Sequence, residues 1–207
     1  MNNNQTKDIL ESIKNTVQSY YEQSTLLLDT KTNIITLTED APNAKCKQIK
    51  FQIDGEVLIY KFDKKDTEIK DKHPLLFLGK TTPLRSLVDY IIFYHKNTKK
   101  GNKQLYAIIC NMKSEGASNM EDQILSGTIL AEFIYKTAAR CHNNWNSNND
   151  NKISLEKPNI IFKEIAVYSD IKPTKGTNIN KHQDNIRLRI TLKCNDKIAY
   201  ILDDKIK

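Results

Sequence analysis

A chain of 207 residues suits one domain with an elaboration better than two, since domains commonly hold about 100–150 residues. Hydrophobic residues make up 39% and charged residues 28%, a globular balance that excludes a disordered polymer and a membrane-embedded chain. The formal charge of +7 permits a polyanionic partner by counterion release, although a chain rich in Asn, Ile and Lys reaches such a total without one.

The first residues, Met1 to Thr6, are polar and lead into no apolar signal region, so a bacterial-type cytoplasmic location is expected. Thr6 to Gln23 carries Ile9, Ile13 and Val17 at spacings of four, which predicts an amphipathic helix. Strands are expected over Asn33–Leu37 and Gln48–Phe62, the second folded on itself as a hairpin at Asp54-Gly55. Lys64 to His73 reads as a charged connector closed by Pro74.

Val88–Tyr94 and Leu105–Met112 read as two strands of an antiparallel hairpin. Ser118 and Glu121 have capping-box spacing, and a helix is expected from Ser118 to Arg140 with Leu125, Ile129 and Phe133 buried. Cys141 to Asn151, with six asparagines, predicts a surface loop. Strands then follow over Ile160–Tyr168, Ile186–Lys193 and Ile198–Leu202, with the polar stretch Lys172 to Asp184 among them. The fold class implied is α/β, a single domain over residues 1–207 with a central mixed sheet, an antiparallel hairpin and flanking helices.

Cysteines 46, 110, 141 and 194 form no C-x-x-C pair and no zinc-finger spacing, so all four are expected as free thiols. His142-Asn143-Asn144 lacks the second histidine of an HNH unit, and His73, His95 and His182 show no i, i+4 pairing. There is no Walker A, G-x-G-x-x-G or G-x-S-x-G pattern, which leaves P-loop, Rossmann and α/β-hydrolase chemistry without support.

The chemistry-bearing stretch runs from Arg85 to Arg140. A hairpin loop centred near residue 99 or 100 sets Asp89 close to Cys110 or Asn111, and strand alternation turns Asn111 and Lys113 to one face. Gln123, in the first turns of the next helix, is near enough to join them. A carboxylate, an amide oxygen and a lysine suit metal-assisted phosphodiester hydrolysis: hard oxygens hold Mg²⁺, and an ammonium positions water and offsets phosphate charge.

The segment resembles the PD-(D/E)XK, or restriction-endonuclease-like, nuclease superfamily. There an Asp opens one strand, an acidic-x-Lys triplet ends its antiparallel neighbour, and many members place a Gln on the following helix. Val88-Asp89, Asn111-Met112-Lys113 and Asp122-Gln123 match these elements over roughly a quarter of the chain. The resemblance implies a metal-dependent nuclease or nuclease subunit, acting in restriction or phage defence. Asp89 and Asn111 are then the metal ligands, Lys113 and Gln123 complete the catalytic set, and Arg85 and Lys175 contact nucleic acid. DNA, a protein partner in a defence complex and a second copy of the chain are the partners it implies.

Two positions depart from the pattern: Val88 stands where the family has proline, and Asn111 replaces the acidic member of the triplet. An amide brings no negative charge to a cation site. Either Glu115, Asp122 or Glu11 compensates, or the domain is a catalytically inactive nuclease-like module that binds nucleic acid or a partner protein.

Overall fold

The longest apolar runs of the chain form the middle of a three-layer arrangement of helices, sheet and sheet. The computed structural model describes residues 3–17, 22–40, 42, 44–62, 88–97, 103–113, 120–145, 160–168, 188–194 and 199–202. Three helices, α1 (Asn3–Thr16), α2 (Ser24–Leu27) and α3 (Met120–Trp145), accompany nine strands among these residues. The strands are β1 (Leu28–Asp29), β2 (Ile34–Thr38), β3 (Gln48–Gln52), β4 (Gly55–Lys61), β5 (Tyr90–Asn97), β6 (Lys103–Lys113), β7 (Ile160–Tyr168), β8 (Leu188–Lys193) and β9 (Ala199–Ile201).

The larger sheet has the order β4-β5-β6-β7-β8, antiparallel from β4 to β6 and parallel from β6 to β8. The expected hairpin is present as β5–β6, and α3 connects β6 to its parallel neighbour β7. Residues 105–112 are buried at every position because both faces of β6 are covered. On one face, Ile91, Phe93, Ala107 and Ile109 meet Ile9 and Ile13 of α1 and Ile124, Leu130, Ala131 and Ile134 of α3. On the other, Tyr90, Ile92, Tyr94, Ile108 and Cys110 meet Ile35, Leu37, Ile49 and Phe51 of a second sheet, ordered β1-β2-β3-β9. The long helices α1 and α3 therefore occupy one side, and on the other a sheet takes the place of long helices among the described residues, with the single-turn α2 beside it.

That second sheet corrects the expectation of a hairpin at Asp54-Gly55. The strands on either side of this dipeptide belong to different sheets, β3 pairing with β2 and β9 while β4 pairs with β5. The dipeptide is a corner between layers. Gly55 has φ 151°, and a Cβ there would collide with the carbonyl oxygen of His95. The Tyr94 hydroxyl holds the corner, accepting from Asp54 N at 3.0 Å and donating to Asp54 O at 2.8 Å. Four residues earlier on the same face of β5, the Tyr90 hydroxyl accepts from Thr38 N at 3.0 Å and donates to Thr38 O at 2.6 Å. Two phenols thus fasten the smaller sheet to the larger by its backbone, beyond what apolar contact supplies.

Three further expectations change. Helix α3 buries Ile124, Leu130, Ile134, Ala138 and His142, while Leu125 is 42% and Phe133 59% exposed and Ile129 is half-buried. The chain had two apolar stripes to offer, and the one richer in small residues faces the sheet. Gly127 explains why: a Cβ there would lie 2.7 Å from Val88 Cγ1 and 2.8 Å from Ile109 Cγ2, so the helix rests on the hairpin at a residue without a side chain. The same helix runs on through Cys141–Trp145, which composition marked as loop. Finally, Cys46 and Cys194 form a disulfide with their Cα atoms 5.6 Å apart, leaving Cys110 and Cys141 free. Their separation of 148 residues hid the pairing, because only the stacking of the two sheets brings them together. Ser118, the connector Lys64 to His73 and the stretch Lys172 to Asp184 lie outside the described residues.

Candidate functional site

Asp89 precedes the first paired residue of β5, whose ladder begins with Tyr90 opposite Cys110. One further step sets Asp89 against Asn111, the neighbour relation that spacing predicted. Beyond this point β5 supplies no ladder carbonyl to β6, and Asp89 makes good the loss: its Oδ2 accepts from Met112 N at 2.5 Å. The carboxylate is 8% exposed, so its charge lies largely out of water while one oxygen is held by a backbone donor.

Asn111 is fully buried and lies on the helix-facing side of β6, in alternation with Ala107 and Ile109. Its Nδ2 donates to Gln123 Oε1 at 2.9 Å. Gln123 reaches this far because it sits one helical turn before Gly127, where α3 comes closest to the sheet. Asn111 Oδ1 is buried and has no hydrogen-bond partner among the described residues. A bare buried acceptor costs about 1–3 kcal/mol, so it is either strain retained for a purpose or a ligand position for a cation or donor.

Three of the four expected catalytic residues, Asp89, Asn111 and Gln123, therefore gather at one end of the β5–β6 hairpin under the first turns of α3. The backbone of the fourth, Lys113, ends β6 opposite Tyr168; its side chain lies outside the described residues, as do Arg85, Lys175 and Glu115. Of the compensating acids, Glu11 is exposed on α1 and Asp122 half-buried on α3. No cluster of three acidic, histidine or cysteine side chains suited to a metal ion occurs among the described residues.

Sequence reading passed over Glu164, a buried carboxylate on the interior strand β7. Its register partner on β6 is Ile109, and Ala166, the next residue on the same face, pairs with Asn111. Glu164 is thus a diagonal neighbour of Asn111 on the helix-facing side. The signal available was an acid inside the apolar run Ile160–Val167, where a charge is rarely buried without a reason. Lys61, the other buried charge near the hairpin, serves the opposite face, where it meets Asp40 Oδ2 at 2.5 Å and stands over the Tyr90 ring at 5.4 Å.

Burial, reinforced by the Asp89 charge, pushes the Cys110 thiol far above its usual range, so it remains neutral and unreactive in the fold. A hard cation near Asp89 would relieve this field with oxygen ligands from Asp89 and Asn111, water completing its shell. No helix among the described residues is long and apolar enough to cross a membrane. Comparison with protein-family models, with curated proteins and with solved structures gives no match.

Proposed function

We propose that the chain is a nuclease-like domain of the restriction-endonuclease-like kind, with metal-assisted phosphodiester hydrolysis on DNA as its chemistry. The observation that carries this reading is the convergence of Asp89, Asn111 and Gln123 at one hairpin end, from three separate elements. Each occupies a position of the Asp, acidic-x-Lys and helix-Gln pattern, Asn111 standing in the acidic one. The order β5, β6, α3, β7 supports the same reading of the fold.

The donor set fits one Mg²⁺ in chemistry, because Asp89 offers a carboxylate and Asn111 an unclaimed amide oxygen. Such an ion would supply Lewis acidity and charge neutralisation at the phosphate. The chain's own part is to hold the Asp89 carboxylate in place through the Met112 amide and to fix the Asn111 amide plane through Gln123. Lys113 is proposed to orient the attacking water, and Arg85 and Lys175 to contact phosphates, in keeping with the net charge of +7. A defence role with a protein partner is part of the same proposal.

One observation favours a second reading, that of an inactive module binding nucleic acid or a protein. Asn111 is sealed from solvent and already paired with Gln123, and a neutral amide stands where the family has its acid. Cleavage of plasmid, single-stranded DNA and RNA during a Mg²⁺ or Mn²⁺ titration separates the two. Metal-dependent cleavage lost in Asp89→Asn supports the nuclease. Retained nucleic-acid binding without cleavage, by the wild type and by Asn111→Asp, supports the module.

A further inference from the structure

The outward face of α3 carries a pattern that the hairpin site leaves unused. With 3.6 residues per turn, Asp122, Leu125, Ile129, Phe133 and Lys136 fall within one stripe about 80° wide. Leu125 is 42% and Phe133 59% exposed, whereas the opposite side of the helix is buried in the core. Along the stripe the order is acid, three apolar residues, base, and the exposed Arg140 continues it one turn beyond Lys136.

The spacing is symmetric. Ile129 is the midpoint, with Leu125 and Phe133 four residues to either side and Asp122 and Lys136 seven to either side. A twofold axis through Ile129 sets Leu125 of one helix on Phe133 of the other and Asp122 on Lys136, twice over. Parallel pairing would instead oppose acid to acid and base to base. Lys136 already meets Glu132 Oε1 at 2.7 Å along the edge of the stripe, and its ammonium has three donors, enough for both carboxylates.

We propose that this stripe is a homodimer interface, α3 packing antiparallel on α3 of a second copy at a shallow crossing of about 20°. The occupant is this chain because the stripe is complementary to itself: apolar residues meet at the centre and opposite charges at both ends. An unrelated partner would not require mirrored spacing about Ile129. The arrangement is independent of the nuclease reading, but it would set the two Gln123 residues, each six positions from the axis, about 18 Å apart along the helix direction.

Sedimentation equilibrium of the full chain, over a concentration series reaching about 1 mM, tests this. The wild type should show a reversible monomer–dimer equilibrium, and F133E should weaken it at least tenfold. D122K and K136D should each be monomeric alone, because each opposes like charges at both ends. Mixed together they should form a heterodimer near wild-type strength, since lysines at 122 and 136 of one chain then meet aspartates at 136 and 122 of the other. Far-UV circular dichroism verifies that each variant is folded, and should F133E fail to fold, the two charge variants alone decide. A wild type monomeric at every concentration overturns the proposal. So does a dimer unchanged in F133E, or charge variants that fail to pair on mixing.

Discussion

Asn111 of β6 and Gln123 of α3 are joined side chain to side chain at 2.9 Å, across the groove between the sheet and the helix that follows it. The bond exists because Gly127 lets the helix settle onto Val88 and Ile109, and it fixes the rotation of α3 about its axis. Gly127→Ala should therefore act on the site as well as on stability. The added methyl overpacks a contact with no room, and denaturant melts should show a loss of about 1–3 kcal/mol. Amide chemical shifts at Asn111 and Gln123 should move with it.

Asp89 has a structural duty at Met112 N besides any catalytic one, and two substitutions separate them. Asp89→Ala leaves a buried N–H without its acceptor and should cost about 1–3 kcal/mol. Asp89→Asn retains an accepting oxygen while removing the charge, so it should melt closer to wild type yet abolish metal-dependent cleavage. Activity assays paired with urea melts check both.

The two apolar stripes of α3 predict opposite outcomes. Phe133→Ala should change monomer stability by less than about 1 kcal/mol, because the ring is mostly in solvent. Ile134→Ala, one residue along and buried against α1 and the sheet, should cost about 2–5 kcal/mol. Melts at low protein concentration distinguish them.

Tyrosines 60 and 94 are both fully buried but differ in their hydroxyls. The Tyr60 hydroxyl has no hydrogen-bond partner among the described residues, so Tyr60→Phe should leave stability unchanged or raise it. Tyr94→Phe frees both backbone groups of Asp54 and should cost about 1–3 kcal/mol. Burial pushes the pKa of the Tyr60 hydroxyl well above its usual value, with Glu22 and Glu11 adding, and burial also raises that of Tyr90. The neutral phenols that the fold requires are present below a pH of about 10, the unfolded value, and their contribution fades as pH climbs beyond it. Alkaline unfolding should begin above about pH 10 and shift upward in Tyr60→Phe.

Thiol chemistry offers a fifth check. In native oxidised protein Cys141, half-buried on α3, should react with an aromatic disulfide reagent, while Cys110 should react only on unfolding. Reduction should expose the Cys46 and Cys194 pair and lower stability by about 2–4 kcal/mol. Four titratable thiols in unfolded, unreduced protein, in place of two, would contradict the disulfide.

What the sequence disclosed was mostly local. The β5–β6 register could be counted from the loop midpoint, and the Asp89–Asn111 relation followed from it. The existence of α3 followed from its repeat, but not which way it faced, since Leu125, Ile129 and Phe133 have the same period as the stripe that is buried. Periodicity reports that a face is apolar; only the fit of Gly127 against Val88 and Ile109 selects which one goes inward. The second sheet was hidden for a related reason. Asp54-Gly55 has turn chemistry, yet the Tyr94 hydroxyl and the His95 carbonyl, about 40 residues further on, make that turn a corner. The disulfide was likewise invisible because its meaning depends on neighbours far along the chain.

The Cys46–Cys194 bond also makes the polypeptide a covalent ring with two tails. The ring contains β3 through β8 and the whole Asp89 hairpin, while one tail returns as α1 against the helix side and the other as β9 beside β3. Any single peptide-bond cut between residues 46 and 194 opens the ring without releasing a fragment. A protease-nicked sample would run as one species without reductant and as two with it, whichever internal bond had been cleaved.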